Sequence, residues 1–173
     1  MRSKLSRLAF ALVAAAASSC STMRTSVDWD ETVDFSRYRT FSFRKGSPAR
    51  NDLTQRRIEE MTTAALQTKG LRRVSDEKPD LRVFTHVVVR PHQQINYTSF
   101  GYGWRWGGGV TTATVTNVPV GTLIVDLVDT GQREMVWRGR ASDVFPSDRE
   151  ERIEELQTAV NKIFEKYPPA GAR

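Results

Sequence analysis

The sequence predicts an α+β fold, in which a mostly antiparallel β-sheet carries two helices on one face as a two-layer sandwich. Three observations support this prediction. Several segments alternate with the two-residue period of strands, two others have the period of amphipathic helices, and the chain shows no internal repeat. A length of 173 residues suits one domain with its own core.

Two segments have the apolar spacing of helices that cover a core. The first helix has Asn51 or Asp52 as its N-cap and ends at Gly70. The second begins at Ser147, which together with Glu150 matches a capping box. Their apolar stripes are Ile58, Met61, Ala65 and Leu66 in the first helix, and Ile153, Leu156, Val160, Ile163, Phe164 and Tyr167 in the second.

The strands are predicted from β-branched and aromatic segments bounded by turn residues. The clearest pair is a hairpin of Thr122–Val128 and Glu134–Val144, joined by the turn Asp129–Gln132. A long valine-rich strand covers Leu81–Arg90, and we expect Pro91 to end or kink it because proline cannot donate to a sheet. The remaining strand segments are Val27–Asp34, Arg39–Phe43, Leu71–Val74 and Thr111–Asn117.

Residues 1–19 have the pattern of a bacterial signal peptide. A basic start at Arg2, Lys4 and Arg7 precedes the apolar run Leu8–Ala17, which is too short to span a membrane. The run leads to Cys20, the only cysteine of the chain. No other segment approaches the roughly 18 apolar residues that a membrane-spanning helix needs.

Cys20 is predicted to carry a membrane anchor. The segment Ala17–Cys20 resembles the lipobox of bacterial lipoproteins, although alanine replaces the usual leucine at its first position. This resemblance implies cleavage before Cys20 and its acylation with three chains, palmitate among them; two chains already hold a protein firmly. A lone cysteine has no disulfide partner in its chain, so acylation gives it a role. The alternative is a plain secretory signal with a chance cysteine.

The anchor predicts where the domain works. Ser21 follows the cysteine where an aspartate would suggest the inner membrane, which points by analogy to the outer membrane with the domain facing the periplasm. Residues 20–26 are expected to form the acylated tether; its part after the cysteine spans at most about 20 Å, so the domain lies close to its leaflet. We expect a single domain over residues 27–168 and a C-terminal tail over residues 169–173.

We expect a membrane partner, reached through the Cys20 acyl chains, and no binding of nucleic acid. The formal charge is +6, but removal of the signal peptide leaves 23 basic against 20 acidic residues. So small an excess fits anionic lipid head groups or glycans equally well. The predicted compartment also contains no nucleic acid for the domain to bind.

The segment Tyr97–Gly109 is predicted to be a loop or hairpin tip that contacts a ligand or partner. Its glycines exclude a helix and give strands little support. Exposed aromatic rings beside an arginine suit a glycan, lipid head groups or a protein surface. The alternative is that these rings fold back over the sheet. The candidate contact residues are Tyr97, Phe100, Tyr102, Trp104, Arg105 and Trp106.

The sequence offers no catalytic or metal-binding motif, so we expect no enzyme activity, no catalytic residues, no metal and no cofactor. The two histidines, His86 and His92, lack the spacing of metal ligands. No Gly-x-Ser-x-Gly elbow marks a nucleophile. Asp126 and Asp129 could form a carboxylate pair, but we interpret Asp126 as an outward or paired carboxylate on the strand face opposite Leu123.

Several motifs in the mature chain carry a family resemblance: Asp34–Phe41, Lys69–Leu71, Pro79–Val83, Gly121–Asp129 and Val136–Gly139. In this order they resemble family 4136 of the domains of unknown function, which are bacterial envelope lipoproteins. The aromatic and glycine-rich insert before the Gly121–Asp129 motif is also similar to that of family members. The resemblance implies an envelope location and supplies no activity, ligand or catalytic residue.

Three functions remain open from the sequence. The first is a non-catalytic, lipid-anchored module that binds or scaffolds an envelope protein. The second is a binder of glycan or lipopolysaccharide through residues 97–109 and nearby arginines. The third is an enzyme with an unrecognised site, which would need a concave cluster of ionisable groups.

Overall fold

The computed structural model describes residues 23–49, 51–75, 78–100 and 110–169, with the backbone alone for residues 98–100, 110 and 111. Within these residues, strands alternate with two long helices and one short 3₁₀ turn. The elements in chain order are β1 (Arg24–Trp29), the 3₁₀ turn (Phe35–Arg37), β2 (Thr40–Ser47), α1 (Asp52–Thr68), β3 (Arg72–Arg73), β4 (Leu81–Phe100), β5 (Val110–Asp129), β6 (Met135–Val144) and α2 (Arg149–Glu165).

The strands form one six-stranded sheet in the order β1-β6-β5-β4-β2-β3. The pairs from β1 to β4 are antiparallel, whereas β2 runs parallel to both β4 and β3. A parallel pair needs a crossover connection, and α1 supplies the one between β2 and β3. The prediction of an α+β fold with a mostly antiparallel sheet is confirmed.

Both helices pack on the same face of the sheet and form one core with it. Alternate residues of β5, including Val125 and Leu127, point into this core and are buried. The ring of Phe164 in α2 stacks on Trp137 in β6 at a centroid distance of 5.4 Å. Gly139 lies directly beneath α2, and a Cβ atom there would come within 2.4 Å of Ile163. Glycine therefore lets the helix approach the sheet closely.

The helix caps agree with the sequence in α1 and differ from it in α2. Asn51 caps α1, because its side chain accepts a hydrogen bond of 2.8 Å from the backbone N–H of Leu53. The capping box predicted at Ser147 is wrong by one residue: Asp148 is the N-cap and accepts hydrogen bonds from the N–H groups of Glu150 and Glu151. An ionised carboxylate is the stronger acceptor beside a helix N-terminus.

The strands β4 and β5 are much longer than the sequence predicts. Pro91 was expected to end β4, but the strand continues through it to Phe100, and β5 is one strand where two segments were predicted. Pro91 lies opposite Pro119, in a region where β4 has no neighbour on its other edge. Proline is tolerated in edge strands, since its missing N–H need not leave a partner unsatisfied.

The sheet also begins earlier than predicted. Arg24 of β1 pairs with Ser142 of β6, so residues 24–26, which were assigned to the tether, belong to the sheet. Only residues 21–23 then separate Cys20 from β1. The tether is therefore shorter than the sequence indicated.

Candidate functional site

The distal halves of β4 and β5 leave the sheet as a two-stranded arm. β2 pairs with β4 only as far as His86, and β6 pairs with β5 only from Val120. Beyond these points, Pro91–Phe100 and Val110–Pro119 pair with each other over ten residue pairs. These two segments are called the arm below; at roughly 3.3 Å per residue it is about 33 Å long.

The arm contains two of the predicted contact residues. Tyr97 lies opposite Ala113 and is 71% exposed. Phe100 pairs through its backbone with Val110 at the end of the described strands. The prediction of a loop is wrong for Tyr97–Phe100, because β4 continues through these residues. The remaining candidates lie outside the described residues, as does the lipidation site; they are Tyr102, Trp104, Arg105, Trp106 and Cys20.

The composition of the arm explains why it forms strands without a core. Its second strand, Val110–Pro119, is rich in threonine and valine, whose branched Cβ atoms favour extended backbone. Neither described helix extends over the arm, so its polar residues remain in water. The twenty residues of the arm include no Asp, Glu, Lys or Arg, although 27% of the whole chain is charged. The arm is thus an uncharged extension of a strongly charged domain.

The two faces of the arm differ in polarity. Successive strand residues alternate between faces, and the unbroken β4–β5 register continues the helix-covered face of the sheet onto the arm. Beyond Gln93 and Asn117, this side carries four apolar residues and ends at Ser99 and Thr111; Ile95 and Val115 on it are 51% and 57% exposed. We call Ile95, Tyr97, Ala113 and Val115 the apolar face of the arm. By register the opposite side is polar along most of its length, with Val118 at its base and Phe100 and Val110 at its end, and we call it the polar face; its polar residues are His92, Gln94, Asn96, Thr98, Thr112, Thr114 and Thr116.

A polar cluster lies on the uncovered face of the sheet around Asp126. Its carboxylate accepts hydrogen bonds of 2.6 and 2.7 Å from Arg138 and lies 3.3 Å from Nε2 of His86. The backbone N–H of Ser47 donates to Nδ1 of His86 at 3.0 Å, so the proton of this imidazole is on Nε2 and faces the carboxylate. The hydrogen bond to Asp126 raises the pKa of Arg138. The interpretation of Asp126 as a paired carboxylate is confirmed.

The end of the sheet opposite the arm is held by two further carboxylates. Asp129 accepts hydrogen bonds from the hydroxyl of Tyr38 at 2.8 Å and from the N–H groups of Gly131 and Gln132, and it also pairs with Arg37. Asp80 accepts bonds of 2.8 Å from the backbone N–H groups of residues 39 and 40. Both carboxylates therefore fasten the start of β2 to the ends of β4 and β5.

The pKa values of this cluster follow from these contacts. Burial alone would raise the pKa of Asp129, but the hydrogen bonds from Gln132, Tyr38 and Gly131 outweigh it and keep the pKa below its ordinary value. Burial raises the pKa of Tyr38 to about 12. At neutral pH the carboxyl group is therefore ionised and the phenol is protonated, which is the pairing that their hydrogen bond needs.

These groups line an open depression of about 860 Å³. Basic side chains, including Arg37, Lys78 and Arg133, surround the two carboxylates. Each carboxylate is already occupied by donors of its own chain, which makes a structural role the simplest account of both. Sequence reasoning placed the motif residues Arg37–Thr40, Asp80 and Asp129 in separate segments, and the fold brings them together at this end of the sheet.

Neither a metal cluster nor a membrane-spanning helix is found in the part of the chain that the structure describes. No three of its His, Asp and Glu side chains are grouped as metal ligands would be. None of its helices is long and apolar enough to cross a membrane.

The fold and the arm define a class of protein: an α+β domain whose six-stranded sheet projects one hairpin beyond its core. The model of the family described as a domain of unknown function, DUF4136, matches residues 25–169. The chain therefore belongs to this family. Comparison with curated protein sequences gives no match.

Solved structures share the fold at low sequence identity. A PDZ domain protein from Parabacteroides distasonis is 20% identical with a TM-score of 0.56; the match covers 86% of this chain but only 35% of that one. A PelC dodecamer from Paraburkholderia phytofirmans is 14% identical with a TM-score of 0.51, covering 87% of this chain and 99% of that chain. A second PelC dodecamer structure from the same organism is 13% identical with a TM-score of 0.50, covering 81% and 94%. These matches support the architecture alone.

Proposed function

We propose that this protein is a lipid-anchored module of the bacterial outer membrane, which binds or scaffolds a partner in the periplasm without catalysing a reaction. The observation that carries the proposal is the arm, because a two-stranded ribbon without a core is marginally stable by itself and suits contact with another surface. Acylated Cys20 is the proposed anchor, and Tyr97 together with the adjoining segment 101–109 is the proposed contact region.

The carboxylates are already hydrogen-bonded within the chain, which favours a binding role over catalysis. Asp126 is held by Arg138, whereas Asp80 and Asp129 are held by backbone N–H groups at the turns they stabilise. Carboxylates so occupied are poor candidates for a general base. An enzymatic activity would have its place in the depression around Arg37, and it remains the less supported alternative.

Photo-crosslinking in the intact envelope tests the binding role. A photoreactive amino acid at Tyr97 is expected to give a discrete crosslinked product, because this side chain stands exposed on the arm. Met135 is the matched control, since it is also an exposed strand residue but lies at the opposite end of the sheet. The same products from both positions, or none from Tyr97, would contradict the proposal. Mass measurement of the mature protein tests the anchor: an unmodified Cys20 contradicts it.

A second candidate is binding of glycan or lipopolysaccharide. It is favoured by the exposure of Tyr97 immediately before the aromatic segment, since tyrosine rings stack on sugars as well as on lipids. Replacing Trp104 and Trp106 by alanine is then expected to abolish retention on purified lipopolysaccharide or peptidoglycan. Retention that is unchanged in this double variant excludes the glycan version.

A further inference from the structure

The N-terminal exit of the chain lies at the same end of the sheet as the root of the arm. Arg24 pairs with Ser142, Ser142 with Thr122, and Thr122 with Val88, so these residues form one row across four strands. The arm begins at Pro91, three residues beyond this row. Because β1 runs away from the row, the chain that precedes Arg24 leaves the sheet toward the arm.

Met23 shows on which face the chain leaves. Its side chain is buried and lines a small apolar cavity of about 50 Å³ together with Val87, Leu123, Phe145 and Leu156. These neighbours lie on the helix-covered face of the sheet. The apolar face of the arm continues this same face, so the exit of the chain and the apolar face are on one side of the molecule.

The tether is short compared with the arm. Cys20 is three residue steps from Met23 and lies at most about 10 Å from it, whereas Phe100 lies about 40 Å beyond the row of Val88. If the arm followed the membrane normal, its end would lie roughly 30 Å deeper than the anchor, in hydrocarbon. The open edges of a two-stranded ribbon would leave backbone groups without partners there. An arm that runs along the leaflet avoids this cost.

The chemistry of the arm fits that position. An interfacial segment needs an apolar face toward the lipid and a polar face toward water, and tyrosine is favoured at this boundary. Residues 94–97 and 113–116 of the arm have both faces, with Tyr97 on the apolar one and no charged residue on either. Other exposed hydrophobic residues stand at the same end of the molecule: Leu53, Val89, Val144 and Phe145.

We propose that the apolar face of the arm lies on the leaflet that holds the acyl chains of Cys20, while its polar face is turned to the periplasm. This proposal rests on the lipid anchor of the proposed function. The ligand of the apolar face is the lipid surface itself, and the polar face and the uncovered sheet are left available to a partner. The arm thereby fixes the orientation of a domain that a flexible tether alone would leave free to rotate.

Two neighbouring positions on opposite faces test the proposal. In the full-length acylated protein the thiol of Cys20 is blocked, so Val115→Cys and Thr114→Cys each introduce one reactive thiol. Each variant is labelled with an environment-sensitive nitrobenzoxadiazole dye and reconstituted in vesicles of phosphatidylethanolamine and phosphatidylglycerol. The label at position 115 is expected to be quenched about threefold more by shallow lipid-linked spin labels than the label at position 114, with the reverse order for aqueous iodide. Gln132→Cys, at the far end of the sheet, is expected to show no lipid quenching.

The possible outcomes distinguish failure of the lipid contact from failure of the Cys20 anchor on which it rests. Equal quenching at positions 114 and 115, in a protein that floats with the vesicles, overturns the lipid contact and leaves the anchor intact. Failure to float, or an unmodified Cys20 by mass, overturns the anchor and the lipid contact with it. The label at position 115 could also be protected from iodide in detergent solution without vesicles, to a degree that rises with protein concentration. This result shows that a second copy covers the apolar face, and it also overturns the proposal.

Discussion

At the scale of single residues, the sheet depends on a few carboxylates that join strands far apart in the sequence. Asp129 accepts a hydrogen bond from the hydroxyl of Tyr38, which lies 91 residues earlier in the sequence. Asp80 accepts one from the hydroxyl of Thr40, which lies 40 residues earlier. Hydrogen bonds to charged groups contribute more than neutral ones, particularly where water is partly excluded. These residues belong to family motifs, and their contacts give those motifs a structural meaning.

Replacement of Asp129 by asparagine is expected to lower the free energy of unfolding by about 2 kcal/mol at pH 7, because a charged acceptor of several hydrogen bonds is lost. The native pKa of Asp129 lies below its ordinary value of 3.8, so its contribution is present above about pH 4 and is lost as the pH falls through the native pKa. Urea unfolding of wild type and Asp129→Asn should therefore differ at pH 7, and the difference should shrink as the pH falls below 3.8. Glu31→Gln, an exposed turn residue, is the control; a pH-independent difference for Asp129→Asn contradicts the prediction.

Gly139 is required for close packing between β6 and α2. The Cβ atom of alanine would lie 2.4 Å from both the Ile163 side chain and the Trp137 ring, with little space for either to move in a buried core. We expect Gly139→Ala to destabilise the fold by about 1–3 kcal/mol, the usual cost of overpacking. Gly131→Ala is a suitable comparison, because the nearest atom to its added Cβ is a carboxylate oxygen of Asp129, 3.2 Å away at an exposed turn. Thermal unfolding that ranks both variants equally would count against this account.

At the scale of elements, the sequence predicts best where an element packs on the core. The stripe of α1 and the alternation of Leu81–Arg90 come directly from burial of one face, and both elements were predicted. Thr111–Asn117 in the second strand of the arm was predicted, but its first strand was missed because Pro91 indicates a strand end and only the short alternation around Ile95 and Tyr97 follows it. The cluster of His86, Asp126 and Arg138 was missed for another reason: it depends on strand register, which composition does not reveal.

The N-terminus of α2 offers a test at this scale. Asp148→Ala removes the side chain that accepts hydrogen bonds from the backbone N–H groups of Glu150 and Glu151, and we expect the free energy of unfolding to fall. Ser147→Ala should have little effect, since the carboxylate one residue later caps the helix. Chemical unfolding of the two variants distinguishes the observed cap from the one that the sequence predicted. A larger loss in Ser147→Ala would restore the predicted capping box.

At the scale of the whole molecule, the core and the arm have different roles. The core buries the helix-covered face of the sheet, and its buried residues come from the helices, the strands and the chain between them. The arm adds twenty residues that pair only with one another. Natural proteins usually protect exposed strand edges with charges, yet the described arm has none. This lack of charges agrees with the contact role proposed for the arm.

This division predicts that the arm can be removed without loss of the fold. Replacing residues 91–119 by Asn-Gly would join Arg90 to Val120, which are paired neighbours, through a two-residue hairpin turn. We expect the unfolding free energy to change by no more than about 1 kcal/mol, because the main loss is one hydrogen bond from Phe145 to Pro119. The shortened protein should still float with vesicles through Cys20. If the shortened protein fails to fold cooperatively, the arm is needed to stabilise the core. Its separate role as a contact element is then refuted.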